Sequence, residues 1–250
     1  MPHVAPAGGA VDWPGGELAI GVVGLAPWAT LDFCRALYSL IDARKDWDYP
    51  RVLIDANSKI PSRGRHLELG ETDPSPFIRQ TIIELTDSGA GVVVVPCNTA
   101  HLLHARWARG VTVPLPHIME VSVDRVVSLG GTSVAVLESS SLQKSGAYVS
   151  TVRARGLQTV VLTDEEVQQV AGLIAGIKLH GQPTDAEQGV FRGLARCLVG
   201  RGADALLLGC TELGVFAPMV PSGTCQVVDS NVELARAAAT IAGCRIRPGA

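Results

Sequence analysis

Short runs of aliphatic and β-branched residues alternate along the chain with longer segments in which apolar positions recur every three to four residues. The short runs predict strands over residues 18–25, 51–55, 91–96, 133–137, 159–162 and 205–209. The longer segments predict helices over residues 30–43, 74–88, 118–128, 146–155, 165–180, 185–200 and 231–242, several of them opened by Thr, Ser or Asp caps. Such alternation implies parallel strands joined by right-handed crossovers. Because the strand runs are apolar throughout, helices are expected on both faces of each sheet.

The second half of the pattern repeats the first. Residues 85–99 read LTDSGAGVVVVPCNT and residues 198–212 read LVGRGADALLLGCTE, so that Leu85/Leu198, Gly89/Gly202, Ala90/Ala203 and Cys97/Cys210 pair at one offset without a gap (210 − 97 = 113). The same offset lays LAIGVVGLA (18–26) over GTSVAVLES (131–139). A repeat spanning half the chain is expected of a duplicated unit. The fold class this predicts is α/β, with two pseudo-symmetric, doubly wound parallel-sheet lobes and the active site in the cleft between them. Residues 1–17 are expected to form a flexible extension, 18–115 with 227–250 the first lobe, and 116–226 the second. Pro114 and Pro116 punctuate the crossing between lobes, and the last helix is expected to return to the first. Open parallel sheets bind ligands beyond the carboxyl ends of their strands, and Cys97 and Cys210 each directly follow a strand, so the two should face one another across the cleft.

Composition narrows the picture. Of the 250 residues 47% are hydrophobic, but they lie in short runs, not in one span of about 20 residues, so no transmembrane helix is expected. The opening stretch MPHVAPAGGAVDWPGGE lacks the basic and apolar regions of a signal peptide. With a net charge of −3, and 17 Arg and 4 Lys scattered among acids, there is no basic stripe for nucleic acid or a membrane surface. The six cysteines show no CxxC and no tight zinc spacing, which fits a reduced, cytoplasmic setting. Cys34, Cys197, Cys225 and Cys244 read as core or incidental positions.

Two thiols across a cleft can act as an acid–base pair, one removing a proton from carbon while the other delivers one to the opposite face. A free thiol of pKa near ~8.5 holds only a few per cent thiolate at neutral pH. A strand-to-helix turn is expected to lower that pKa through the amides of the helix N-terminus. Asn98, Thr99 and Thr211 supply donors at the same turns, suited to a substrate carboxylate. Other chemistries find less support. His101 and His104 are spaced to share a helix face, but no third metal ligand is evident, and a Cys97/His101 dyad has no orienting partner. GVVGLAPWAT lacks the GxGxxG order, no GxxxxGK[ST] occurs, and no pyridoxal phosphate site is recognisable. No metal or cofactor is therefore expected.

PCNTAH around Cys97 and GCTEL around Cys210, with IGVVG in the first strand run and SKIPSR over residues 58–63, resemble the aspartate/glutamate racemase superfamily, most of all its aspartate racemase branch. The resemblance runs from about Ala19 to Ala242. It implies a pseudo-symmetric two-domain fold, often dimeric, and cofactor-independent racemisation by two cysteines. By the same resemblance Arg63 binds one substrate carboxylate, Asn98 and Thr99 bind the other, and Lys178 reaches into the cleft. Read from the residues alone, Arg63 follows a Pro-Ser turn where it can grip a carboxylate in a fork or lie solvated on the surface. Lys178, near a helix end, can equally serve the helix dipole. Glu212 can orient or charge the site, or cap the following turn. The first loop, Gly24-Leu25-Ala26-Pro27-Trp28, lacks the second glycine usual in the family, so Leu25 and Trp28 are expected to reshape the wall around Ala26, itself counted with the substrate-binding candidates. The expected function is racemisation of aspartate or glutamate. Alternatives on the same fold are maleate isomerisation, hydantoin racemisation and decarboxylation, and outside catalysis a dicarboxylate-binding protein.

Overall fold

The structure is a computed structural model that describes residues 16–249, so most of the expected N-terminal extension lies outside the described residues. The first half comprises β1 (Ile20–Gly24), α1 (Pro27–Leu40), β2 (Val52–Ala56), α2 (Arg63–Leu69), α3 (Ser75–Asp87), β3 (Val92–Val94), α4 (His104–Trp107) and α5 (Ile118–Ser128). The second comprises β4 (Ser133–Glu138), α6 (Ser140–Ser145), α7 (Ala147–Ala154), β5 (Gln158–Thr159), α8 (Asp164–His180), α9 (Asp185–Gly200), β6 (Ala205–Gly209), β7 (Gln226–Asp229) and α10 (Ser230–Ala242). Turns of 3₁₀ helix, Asn98–Leu103 and Thr211–Met219, follow β3 and β6. The helices start where capping chemistry allows. Thr163 and Thr184 each close a reciprocal capping box with Glu166 and Glu187, and Gly181 ends α8 in the left-handed conformation.

All strand pairs are parallel, in a three-stranded sheet ordered β2-β1-β3 and a four-stranded sheet ordered β5-β4-β6-β7. This is the two-lobe α/β fold that the strand–helix alternation predicts. The repeat, however, is not free of gaps. Ile20 lies opposite Val92 in β3, while Ala205, the counterpart of Val92 at offset 113, lies opposite Val134, so the first strands align at 134 − 20 = 114. The faces agree: Ile20 and Val22 point into the same central core as Val134 and Val136, whereas Ala135 and Leu137 point outward. A one-residue error would turn every side chain of a strand to the wrong face, so the ladder requires one residue more between β1 and β3 (92 − 20 = 72) than between β4 and β6 (205 − 134 = 71).

β7 departs from the expectation that residues 227–250 join the first lobe: it brings residues 226–229 into the second sheet beside β6. Its counterpart in the first half is the stretch around Pro114 and Pro116. There Val93 donates to the Pro114 carbonyl at 3.1 Å, but two prolines in three residues remove the amide donors that a ladder needs. Other boundaries moved as well. β5 (Gln158–Thr159) shares only Thr159 with the predicted strand, α2 replaces an expected loop, and α6 precedes α7 with a break at Gly146 (φ 66°).

Three apolar clusters build the molecule. One lies between β1–β3 and α3, with Ile78, Ile82 and Trp107. Another lies between the second sheet and α8–α9, with Leu173, Phe191 and Phe216. The third joins the inner faces of both sheets through α1, α5, α7 and α10, and includes Phe33, Leu37, Val123, Tyr148, Leu207 and Leu234. The helices that end each half cross over. α5 lies on β6 and β7, and α10 lies on β1 and β3, with α5 and α10 in contact between the sheets. No helix among the described residues is long and apolar enough to cross a membrane.

Because the central core belongs to both sheets, Leu207→Ala, which empties space around a side chain that is 0% exposed, is expected to cost about 2–5 kcal/mol. Urea unfolding followed by circular dichroism should remain a single transition; two separated transitions would show that the lobes have independent cores.

Candidate active site

The carboxyl ends of β3 and β6 open on one cavity of about 270 Å³, and both Cys97 and Cys210 line it. That size suits a small acid more than a drug-sized ligand, whose pockets span roughly 300–1,000 Å³. A larger concavity of about 930 Å³ lies at the opposite end of the first sheet, lined by Leu18, Tyr38, Trp47 and Tyr49 and by no cysteine. Its lining is mostly apolar, with Glu17, Asp46 and Arg51 beside the aromatic rings and no thiol. The thiol-lined cavity is therefore the one with chemistry.

Each cysteine is the extended residue that opens its 3₁₀ turn, with φ −161° at Cys97 and −139° at Cys210. The first amides of such a turn have no partner within it and can face an anion. The two environments differ sharply. Cys210 is buried, and its thiol donates to Glu212 Oε2 at 3.0 Å; the Thr211 hydroxyl donates to the same oxygen at 3.2 Å. Glu212 Oε1 stands 3.9 Å from Lys178 Nζ. Burial pushes the Cys210 thiol well above its ordinary range, the Glu212 charge and hydrogen bond push it further, and Lys178 and the Glu212 amide act in the opposite direction. The expected lowering by the turn's amides is overturned at Cys210, because loss of water and a neighbouring carboxylate outweigh one amide. Cys97 is half-buried, with no carboxylate bonded to its sulfur among the described residues. The site thus holds one thiol tied to an acid and one more open to solvent.

The donors expected to hold carboxylates are brought to the cavity but not all are free. Asn98 is buried, accepting from Tyr148 Oη at 2.5 Å and donating to Ser230 Oγ at 2.9 Å. Its side chain is therefore a strut that joins β3 to α7 and α10, and what it offers a ligand is its backbone. Gly209 makes room for that strut, since a Cβ there would stand 2.9 Å from the Tyr148 ring. Thr99 meets Ser139 across the cleft at 3.1 Å. Arg63, in the first turn of α2, lines the cavity with a buried Nε that has no partner, while Nη1 donates to the Pro61 carbonyl at 3.3 Å. Ala26, Lys178, Thr211 and Glu212 also line it.

Leu25 does not shape the wall: it is 4% exposed and packs outward with Ile60 and Ile78. Trp28 reaches instead across to the second lobe and covers Gly181, where a Cβ would stand 2.6 Å from the indole, three residues beyond Lys178. Sequence reasoning missed Glu68, Tyr148, Ser230 and the serines 139–141. Ser140 was visible in principle, since the repeat at the offset of 114 lays it over Ala26, and Glu68 lies one helical turn from Gly64 on α2.

His101, His104 and His117 gather beside Cys97, with ring centroids 4.8–5.9 Å apart, so a third imidazole joins the two seen in the sequence. His101 bonds the Cys97 carbonyl through Nδ1 at 3.0 Å, and burial and its neighbours lower its pKa to about 3. It is a neutral brace for the cysteine turn. Among the described residues no three His, Cys, Asp or Glu are arranged to hold a metal ion. Glu138, buried at the end of β4 with Oε2 unpartnered, is raised to about 8 by burial and so stands as a neutral acid beneath Ser139 at pH 7.

The fold and the cavity define a class: two parallel α/β lobes that present a pair of cysteines to one small polar cleft. Residues 20–238 match the family model for Asp/Glu/Hydantoin racemase, and the chain belongs to that family. It is 27% identical over 228 residues to the broad specificity amino-acid racemase RacX of Bacillus subtilis, covering 87% of this chain and 95% of that protein. It is 26% identical over 180 residues to a glutamate racemase of Ectopseudomonas mendocina, covering 68% of this chain and 66% of the other. Among solved structures, the Picrophilus torridus aspartate racemase superposes with a TM-score of 0.78 at 24% identity, over 92% of this chain and 96% of that one.

Gly181→Ala tests the contact between Trp28 and α8. The left-handed backbone alone is expected to cost about 1–2 kcal/mol, and displacement of the indole adds to it. Trp28→Ala in the same background should recover only the steric part, as read by thermal unfolding. Full recovery, or none, would deny the contact.

Proposed function

We propose that this chain is a cofactor-independent amino-acid racemase that inverts the α-carbon of aspartate or glutamate between Cys97 and Cys210. The observation that carries the reading is the joint lining of one small cavity by two cysteines from equivalent strand ends, in unequal electrostatic settings. Cys97, the more open sulfur, acts as thiolate and takes the α-proton from one face. Cys210, kept as a thiol by burial and Glu212, returns a proton to the other face. After one inversion the protonation states are exchanged, which suits the opposite enantiomer. Glu212 and Lys178 are the charges that set the Cys210 proton for the next cycle.

Arg63, with its unpartnered Nε, is the receptor for one carboxylate. The amides of the Cys97 and Cys210 turns, with Thr99, receive the other. Lys178, on the exposed end of α8, adds positive charge at the mouth. The homodimer implied by the family resemblance, and the cytoplasmic setting that the cysteine pattern fits, belong to the same reading. Maleate isomerisation would use the same pair of thiols as nucleophile and acid; conversion of maleate without amino-acid racemisation would favour it.

Proton NMR in deuterated water is expected to show loss of the α-proton signal of aspartate or glutamate. Cys97→Ser and Cys210→Ser should each slow racemisation by about a hundredfold or more. Unchanged rates in both variants would remove the thiols from the reaction. Glu212→Gln removes a charge and an acceptor that hold the Cys210 proton, so the Cys210 pKa falls. In the direction that uses Cys210 as the acid, the alkaline limb of kcat/KM should therefore move to lower pH. A limb that stays in place would show that Glu212 does not control that proton.

A further inference from the structure

Abstraction of an α-proton from an amino acid is easiest while the amino group is a cation, and a buried ammonium needs an acceptor, best an anionic one. Two carboxylates line the cavity, Glu68 and Glu212. Glu212 is occupied: Oε2 receives Cys210 and Thr211, and Oε1 faces Lys178. Glu68 is not. Its Oε1 accepts from Ser141 Oγ at 2.6 Å across the cleft, and among the described residues it has no cationic partner. Five residues before it on α2, Arg63 likewise has no carboxylate partner among the described residues, only the Pro61 carbonyl. One short helix thus presents an unneutralised guanidinium and an unneutralised carboxylate to the same cavity, without an ion pair between them.

We propose that Glu68 receives the substrate's α-ammonium group. The role rests on the reading of the cleft as an amino-acid site. The pairing matches the head of an amino acid charge for charge, with carboxylate toward Arg63 and ammonium toward Glu68, and it leaves Lys178 for a side-chain carboxylate. Ser141 fixes the Glu68 rotamer from the second lobe while leaving Oε2 open, so the receptor is complete only when the lobes stand as they do here. The alternative role, a plain clasp between Glu68 and Ser141, would support every ligand alike, with or without an amino group.

Calorimetric titration separates the two. Aspartate is compared with succinate, and glutamate with glutarate, each second acid lacking only the amino group. Glu68→Gln is expected to weaken binding of the amino acids by about ten- to a hundredfold, as for a lost hydrogen bond to a charged group, and to leave the plain diacids unchanged. Glu68→Asp should keep part of the discrimination. Equal weakening of both kinds of ligand, unchanged amino-acid binding, or binding of neither kind by the parent protein would overturn the assignment. Deuterium exchange on the same parent sample reads the racemase reaction independently. Absent exchange with the Glu68-dependent discrimination intact would sink the reaction and keep the ammonium receptor.

Discussion

The contact between α5 and α10, each lying on the sheet of the other half, is the constraint on which the rest of this molecule depends. Two sheets that each ended their own chain segment would be free to hinge. Here the last helix of each half is buried against the opposite lobe, and the apolar core runs without a break from β1 to β6. Tightly packed interiors tolerate few intermediate arrangements. The carboxyl ends of β3 and β6 are thereby held at one separation, and with them the two cysteine turns. Asn98 strengthens the arrangement at the cavity floor, because its amide reaches both Tyr148 on α7 and Ser230 at the start of α10.

Pseudo-symmetry of the backbone does not carry over to the electrostatics. At one strand end the residues after the cysteine are Asn98 and Thr99, both engaged with neighbouring helices or loops; at the other they are Thr211 and Glu212, and the carboxylate turns back on the thiol. A reaction that must remove a proton from one side and deliver one to the other needs its two sulfurs in different protonation states. The halves differ in the two residues after each cysteine, Asn98-Thr99 against Thr211-Glu212, and among the described residues only Cys210 has a carboxylate on its sulfur. The neutral neighbours matter as much. Glu138 and the His101 cluster are kept uncharged by burial, so the charges that face a ligand are Arg63, Glu68, Lys178 and Glu212.

The family tie and the cavity support each other without being the same statement. A shared fold hosts many chemistries, and the function of a member lies in its site. In this chain the site is framed by the Trp28 bridge to Gly181, the Asn98 strut and the acidic residue on α2. Asn98 and Glu68 line the cavity together with the two cysteines.

Much of this was legible along the chain. Hydrophobic periodicity gave the parallel α/β class and most of the helices, because strands buried on both faces and helices buried on one leave different spacings in sequence. The repeated LxxxGA…C segments pointed to both thiols, since a duplicated strand end carries its residue with it. The second sheet's β7 was missed where an expected return to the first lobe hid four residues of strand, and the one-residue slip between β1 and β4 was invisible because apolar residues occupy both faces. Tertiary structure alone decided which polar groups are free. Sequence names Asn98, Thr211 and Glu212 as donors and acids, but only the folded chain shows Asn98 consumed by Tyr148 and Ser230, Glu212 consumed by Cys210, and Glu68 left open. Hydrogen-bond partners tens of residues apart, and the loss of water around a thiol, are properties of the packed interior, and no local pattern encodes them.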